Sequence, residues 1–478
     1  MIVSFAGRFR SVSLLASTPL LAANLLEALL PFARNVALAR LVAPEDFGLA
    51  ISLSIVLGML EVVTDFGLPI LVVRKENRVP HDVMMGTLQS LAIMRAAVLG
   101  GILLAASPLV ATLFHAPDQV GVYALLAPIV LLRGFENYGV KELMRRSSFG
   151  REAAVTGAAQ VAAFATTVAA AWHRPDLTCM IWGLGAATVT TVALSHFLSP
   201  TRYRLRWNRE ARRDAARFGL PLLVNGAAAS LTLSDRLLIG GVLGPMPLAF
   251  YNVAYGTAQL PRTVIARFLT SAFLPLFVRQ REQGGDEAAL FDSWAWCLSC
   301  LAFAYGLALS LVGDQLLALV FGPAYQPSRF FMGLAGLSVC VKLLALLPVP
   351  AAYAAGNTRL VAYGSILSAL AVVPGALALL ATRDLTLFLL GMTVGDIVAL
   401  ALLGRRARRE HVFNQNAAWC AAAWPSLLLA SLVILTWLAP QLTLAAWLGA
   451  GLAALAASGA LYGLMLSRFD IRLRILFS

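Results

Sequence analysis

Apolar residues fill this chain in long runs, about 20 residues each, that are separated by short polar stretches and recur from near residue 13 to near residue 466. A helix of about 20 apolar residues crosses ~30 Å of hydrocarbon. Inside lipid every backbone polar group must find its partner within the segment, so such runs are helices. A membrane β-barrel would instead show shorter segments of alternating polarity. The pattern predicts about 14 spans, near 13–40, 45–71, 84–113, 119–141, 153–173, 177–198, 218–242, 247–274, 290–313, 328–352, 359–381, 384–404, 417–438 and 443–466. The expected fold class is therefore an all-α membrane protein.

Composition agrees. Of 478 residues, 59% are hydrophobic and 13% charged, against about 25% charged in soluble domains. The N-terminal stretch has Arg8 and Arg10 but no small-residue cleavage site after its apolar run, so it reads as a short cytoplasmic stub. Cys297 and Cys300 form a C-x-x-C inside an apolar helix without a second pair or a nearby His. They read as small apolar fillers, and no metal site or cofactor is assigned.

Charge sets the orientation. The ends of even-numbered spans carry Arg74, Lys75 and Arg78, then Arg145, Arg146 and Arg151, then seven arginines between Arg202 and Arg217. Arg279 and Arg281, Arg405 to Arg409, and Arg468 to Arg474 follow. The odd ends are nearly bare. By the positive-inside rule the even ends and both termini face the cytoplasm. The same distribution accounts for a net charge of +13 without nucleic acid, since the arginines form no single basic face. It suits an anionic inner leaflet.

The chain also looks duplicated. Asn24 and Asn225 precede Pro44 and Pro245 by the same interval. Leu41-Val42-Ala43-Pro44 lines up with Val242-Leu243-Gly244-Pro245, and Arg34 and Asn35 with Asp235 and Arg236. The expected domains are an N-terminal lobe (1–200), a C-terminal lobe (201–410) and two appended helices (411–478), the lobes being related by an axis along the membrane normal.

Several catalytic classes lack their residues. There are three lysines, Lys75, Lys141 and Lys342, and none belongs to a G-x-x-x-x-G-K-[ST] loop. No D-x-D, G-x-S-x-G or H-E-x-x-H occurs, and no large outer loop exists to house a polymerase or ligase. Transport fits better than catalysis.

What remains is charge at membrane depth: Glu27 and Arg34, Glu61 and Asp65, Arg95, Arg133 and Glu136, Asp235 and Arg236, Arg262, Arg267, Lys342 and Asp396. Each costs ~2.5–3.5 kcal/mol at bilayer centre, so they face a hydrated cavity or one another. Arg40 and Arg267 lie near span ends, where snorkelling accounts for them. Arg133 with Glu136 fits either a structural pair or a cavity contact. Arg34, Arg95, Arg236 and Arg262 are candidate cavity residues, and their positive charge points to an anionic substrate that guanidinium groups can grip. Glu27, Asp65 and Asp396 are candidates for ion or proton coupling, the alternative being neutralisation of a nearby Arg. Tyr251, Tyr255, Trp294 and Trp296 have faces for sugar stacking or for helix packing.

Certain segments resemble a known group. Ala39-Arg40-Leu41-Val42-Ala43-Pro44-Glu45-Asp46-Phe47-Gly48-Leu49 is similar to the first hairpin of Wzx-type oligosaccharide flippases, a branch of the multidrug/oligosaccharidyl-lipid/polysaccharide exporter superfamily. Asp65-Phe66-Gly67-Leu68 with Val72-Val73-Arg74-Lys75 resembles its second span and exit. Ser234-Asp235-Arg236-Leu237-Leu238-Ile239-Gly240 resembles its seventh span, Phe250-Tyr251-Asn252-Val253-Ala254 the start of its eighth, and Ala354-Ala355-Gly356-Asn357-Thr358-Arg359 its tenth-to-eleventh connection. Met246-Pro247-Leu248 departs from the family pattern, which puts the local loop shape in doubt.

The resemblance implies two six-helix lobes around a central cationic cavity, alternating access, and an undecaprenyl-diphosphate-linked oligosaccharide as substrate. It carries over to Arg34 and Arg236, and more loosely to Arg95 and Arg262. Arg133, Asn24, Asn225 and Tyr251 complete the candidate substrate-binding set. Expected partners are membrane lipids, a polysaccharide polymerase and glycosyltransferases. Rival readings are a cation-coupled multidrug exporter of the same superfamily, a membrane glycan polymerase or ligase, and a lipid II exporter.

Overall fold

The computed structural model describes residues 14–64, 66–73, 79–143, 150–283, 285, 287–410, 427, 429–431 and 433–434. Among the described residues every regular element is a helix. Among the described residues eight helices are long and apolar enough to cross a membrane: Pro44–Val63, His81–Leu113, Gly150–His173, Thr178–Leu198, Leu290–Phe321, Arg329–Ala354, Thr358–Thr382 and Leu385–Arg409. The chain is a multi-pass membrane protein. The first twelve expected spans all fall on helices, whereas 417–438 and 443–466 lie almost wholly outside the described residues. Leu429 and Val433 of the thirteenth are buried against Gly306 and Gly333.

The chain forms two compact units, Met1–Ala249 and Phe250–Ser478. In the first, α1 (Leu14–Leu41) packs on α8 (Gly150–His173), and α8 on α9 (Thr178–Leu198). Gly183 of α9 sits so close to α8 that a Cβ would stand 1.9 Å from Thr167 Oγ1. Small residues at such crossings replace the hydrophobic drive that lipid cannot supply. The second span is α2 (Pro44–Val63) and a short α3 (Leu68–Val73), separated at Gly67, whose φ of 61° suits glycine. The third is α4 (His81–Leu113). Leu88, Ala92, Leu99 and Leu103 of α4 are buried, while Val98, Ile102 and Leu109 are exposed. In a membrane protein that exposed apolar stripe faces acyl chains.

The fourth span is broken into α5 (Val120–Ala124), α6 (Leu126–Arg133) and α7 (Gly139–Glu142). The seventh is α10 (Arg209–Ser230), a 3₁₀ turn at Leu231–Leu233, and α11 (Ser234–Leu243). Both α10 and α11 pack on α2 in the first unit. α12 (Pro245–Tyr251) then begins. Pro44 and Pro245, the paired prolines of the apparent duplication, are each the first residue of a helix, where a missing N–H costs nothing. Ahead of Pro245, Gly244 has a φ of 96°. Met246-Pro247-Leu248 is helical and forms no loop.

In the second unit a π-helical turn, Asn252–Gly256, leads into α13 (Thr257–Glu282). It is followed by α14 (Glu287–Phe321), α15 (Arg329–Leu344), α16 (Val349–Ala354), α17 (Thr358–Leu370), α18 (Val372–Thr382) and α19 (Leu385–Arg409). Side chains cap three of these helices. Ser328 accepts from Phe331 N, Asn357 from Leu360 N, and Asp384 from Thr386 N and Leu387 N.

Candidate functional site

The first unit contains a cavity of about 320 Å³ at the Arg-rich end of spans two to four. It exists because the fourth span stops early. Gly134 follows Arg133, and a Cβ there would stand 2.5 Å from Ala96 Cβ on α4, so glycine lets the two spans meet. The chain then leaves helical geometry from 134 to 138. Asn137 holds that turn: its Oδ1 accepts from Gly139 N at 2.9 Å, and its N–H donates to Ser195 Oγ at 2.9 Å. The turn brings Arg133, Glu136, Tyr138 and Lys141 to the same space as Glu61 of α2 and Arg95 of α4.

Three cations meet two carboxylates there. Arg133 is ion-paired with Glu61. Lys141 Nζ lies 2.8 Å from Glu136 Oε1 and 5.5 Å from the Tyr138 ring centroid. Of the two readings open for Arg133 and Glu136, the structure shows the cavity contact and not the pair: the helix ends at Arg133, the helical spacing no longer applies, and the partner of Arg133 comes from α2. Arg95 Nη2 donates to neutral oxygens, Glu61 O at 3.2 Å and Thr64 Oγ1 at 2.9 Å, and its Nε has no hydrogen bond. Among the described residues, Arg95 is the cavity cation without a carboxylate partner. Counted over the described lining residues, three cations against two carboxylates leave positive charge for an anion, with Glu152 within electrostatic range of Lys141.

The remaining sequence candidates divide. Arg34 on α1 is half-buried, its Nε makes no hydrogen bond, and it forms no ion pair with a described residue. Arg236 on α11 is also half-buried and forms no ion pair with a described residue; its N–H donates to Asp235 Oδ1 at 2.8 Å. Neither lines the cavity. Glu27 is exposed on α1. The side chains of Asn24 and Asn225, and all of Asp65, lie outside the described residues.

Arg262, Tyr251 and Asp396 belong to the second unit. Asp396 on α19 is buried and accepts from Ser338 Oγ at 2.8 Å. Lys342 Nζ lies 3.6 Å from Asp396 Oδ2 and donates to Tyr255 Oη at 2.8 Å. Tyr255 Oη and Ser338 Oγ are 2.9 Å apart, which closes the network. The π turn at Asn252–Gly256 aims Tyr255 inward to make it, and Arg262 is within electrostatic range of Lys342 and Asp396. Tyr251 is fully buried, with its ring 5.1 Å from Tyr255 and 5.8 Å from Phe388, which fits the helix-packing reading of this residue. Trp294 is likewise buried, donating from Nε1 to Leu347 O at 2.9 Å. Sequence reasoning missed Tyr138 and Lys141 in the first unit and Ser338 in the second. Ser338 and Lys342, four apart on one face of α15, were the available signal.

Comparisons with known proteins place the chain. The polysaccharide biosynthesis protein family matches residues 37–329. The teichuronic acid biosynthesis protein TuaB of Bacillus subtilis (strain 168) is 22% identical over 272 residues, 55% of this chain and 54% of that protein. The lipopolysaccharide biosynthesis protein WzxC of Escherichia coli (strain K12) is 22% identical over 296 residues, 60% of this chain and 59% of its own length. The matches thus span somewhat over half the length of these relatives. Among solved structures, the lipid II flippase MurJ in an inward closed conformation superposes with a TM-score of 0.72 at 10% identity, covering 94% of this chain and 99% of MurJ. An inward-facing multidrug resistance MATE family transporter of the MOP superfamily gives 0.56 at 15% identity, covering 80% and 94%. These superpositions establish a shared fold. With more than half of its length matched, the chain belongs to the polysaccharide biosynthesis protein family.

Proposed function

We propose that this protein is a flippase that carries an undecaprenyl-diphosphate-linked oligosaccharide across the cytoplasmic membrane, for exopolysaccharide or lipopolysaccharide assembly. The reading is supported by family membership, by relatives named for teichuronic acid and lipopolysaccharide biosynthesis, and by the fold shared with a lipid II flippase. The observation that carries it is Arg95, a guanidinium that lines a cavity, shares it with Glu61 and forms no ion pair with a described residue.

In this account the Arg-rich ends and both termini are cytoplasmic, and the membrane is the bacterial inner membrane. The halves 1–200 and 201–410 rock against each other, with 411–478 appended. The compact units cut differently, since α10 and α11 of the second half pack in the first unit. The diphosphate enters from the cytoplasmic side while its prenyl tail stays in lipid. Arg95 and Arg133 replace the water that the headgroup loses, while Arg34, Arg236 and Arg262, outside that cavity, contact the substrate elsewhere on its path. Asn24, Asn225 and Tyr251 have supporting roles, Tyr251 by packing. Asp65, Glu27 and Asp396 are the coupling groups, Asp396 through Lys342. No bond is made or broken, so the protein is a transporter and not an enzyme. A polymerase and glycosyltransferases act before and after it. The excess positive charge disfavours a cationic drug as cargo.

The test measures surface polysaccharide at matched membrane levels for Arg95→Ala and for Arg34→Ala combined with Arg236→Ala. Export falls in both if the reading holds. Wild-type export in both variants would remove these guanidiniums from the mechanism.

A further inference from the structure

Between α9 and α10, residues 199–208 run outside any helix along the Arg-rich end of the first unit, with a bend at Pro200 and Thr201. It is fastened from inside. Arg206 N donates to Gly86 O at 3.1 Å, and Arg204 N to Gln89 Oε1 at 3.2 Å. Buried Gln89 donates on to Asn137 Oδ1 at 3.1 Å, and Asn137 Nδ2 reaches Thr201 O at 3.4 Å. Arg206 also pairs with Asp82 at 2.8 Å. Asn208 Oδ1 accepts from Ala211 N at 3.0 Å and starts α10.

The fixed inner side leaves an outer side of unusual composition. Leu205 and Trp207 are each 55% exposed, and Phe197, at the end of α9, is 88% exposed. Arg202, Arg204, Arg209 and Arg213 are exposed around them. The Arg212 guanidinium lies 4.5 Å from the Trp207 ring centroid, which braces the indole in an outward position. A strap built for water would fold Trp207 and Leu205 inward. One built for a bilayer surface seats them at the acyl boundary and spreads arginines at headgroup level. Seven arginines between 202 and 217 face two carboxylates, Glu210 and Asp214, so the complementary surface is anionic.

We infer that residues 197–213 form an interfacial anchor that binds anionic phospholipid of the inner leaflet. Leu205 and Trp207 enter the bilayer interface beside Phe197, and Arg202, Arg204, Arg209 and Arg213 contact headgroup phosphates. Arg206 and Arg212 are structural, held by Asp82 and Trp207. The inference rests on the cytoplasmic orientation proposed above, but it needs no assumption about cargo, and its test reads no transport.

The full-length protein is reconstituted in phosphatidylcholine vesicles containing an equal mole fraction of either brominated phosphatidylglycerol or brominated phosphatidylcholine. Subtracting the emission of Trp207→Phe isolates the Trp207 signal. The expected result is that brominated phosphatidylglycerol quenches that signal at least about twofold more strongly than brominated phosphatidylcholine. Replacing Arg204, Arg209 and Arg213 together by Gln is expected to leave quenching by both lipids and to erase the difference between them. Equal quenching of the wild type by both lipids would overturn the inference, as would no quenching by either, the outcome for a strap that faces water or a soluble protein. A preference that survives the three Gln substitutions would overturn it too.

Discussion

Arg95 and Arg133 line the same cavity but are not equivalent. Arg133 is half-exposed and neutralised by Glu61, whereas Arg95 bonds only to neutral oxygens among the described residues. A hydrogen bond to a charged group contributes ~1.5–3 kcal/mol. Arg95→Ala should therefore lower export by about tenfold or more. Arg133→Gln made together with Glu61→Gln should cost less, because the pair leaves as a neutral unit. Quantified surface glycan per inserted protein checks the order, and a reversed order would relocate the anion. Lys342 and Asp396 allow a second prediction. Removing one member of a buried pair strands the other and costs about 3–5 kcal/mol, while replacing both is far milder. Lys342→Met should depress the melting temperature in detergent more than Lys342→Met with Asp396→Asn. The sequence already marked these residues as deep charges, because ionisable groups in apolar runs stand out. It could not pair them: Arg133 lies three from Glu136, but the helix ends between them.

At the scale of elements, polarity alone placed twelve expected spans on helices, and among the described residues eight helices are long and apolar enough to cross a membrane. Breaks within spans were not legible. The polar residues around Gly134 (Arg133, Glu136 and Asn137) do not by themselves say that the helix breaks there, and nothing in the composition of Asn252–Gly256 announces a π turn, yet the first shapes the cavity and the second aims Tyr255. The connection after the tenth span was recognisable as Ala354-Ala355-Gly356-Asn357-Thr358-Arg359, and the structure gives it a physical role. Asn357 caps α17 and donates from Nδ2 to Glu410 Oε2 at 2.7 Å, while Arg406 Nε lies 2.5 Å from Glu410 Oε1. Hydrogen bonds from Arg406 and then Asn357 hold the Glu410 carboxyl below its ordinary range. A depressed carboxyl stabilises the fold above its unfolded pKa and loses that contribution as pH falls through the folded value. The melting temperature of wild type should thus exceed that of Glu410→Gln near neutral pH, and the gap should close below about pH 4. A gap independent of pH would show that the clasp is not electrostatic.

For the whole molecule, the Arg-poor end of the first unit is densely packed where the Arg-rich end is hollow. A Cβ on Gly48 would stand 1.9 Å from Pro245 O, and one on Gly240 would stand 2.5 Å from the Phe114 ring. Phe114 stacks on Tyr123, whose hydroxyl meets Ser52 Oγ at 2.5 Å in a buried contact. Gly48 and Pro245 fall in the two segments that the duplication aligns, so in the proposed cycle they close the outer side. Gly48→Val should prevent that closure. A cysteine placed at position 241 in the variant should then react faster with a membrane-impermeant maleimide added outside, and export should fall. An unchanged labelling rate would show that this contact is not a gate.

The central claim is that a cationic cavity receives a diphosphate headgroup. The most direct measurement follows fluorescent lipid-linked glycan across proteoliposomes that contain the purified protein. Two substrates share one glycan and one prenyl tail, and differ in whether a diphosphate or a neutral linker joins them. The account predicts fast movement of the diphosphate substrate, little of the neutral one, and loss of most of that difference in Arg95→Ala. Equal rates for both substrates, unchanged by Arg95→Ala, would contradict it.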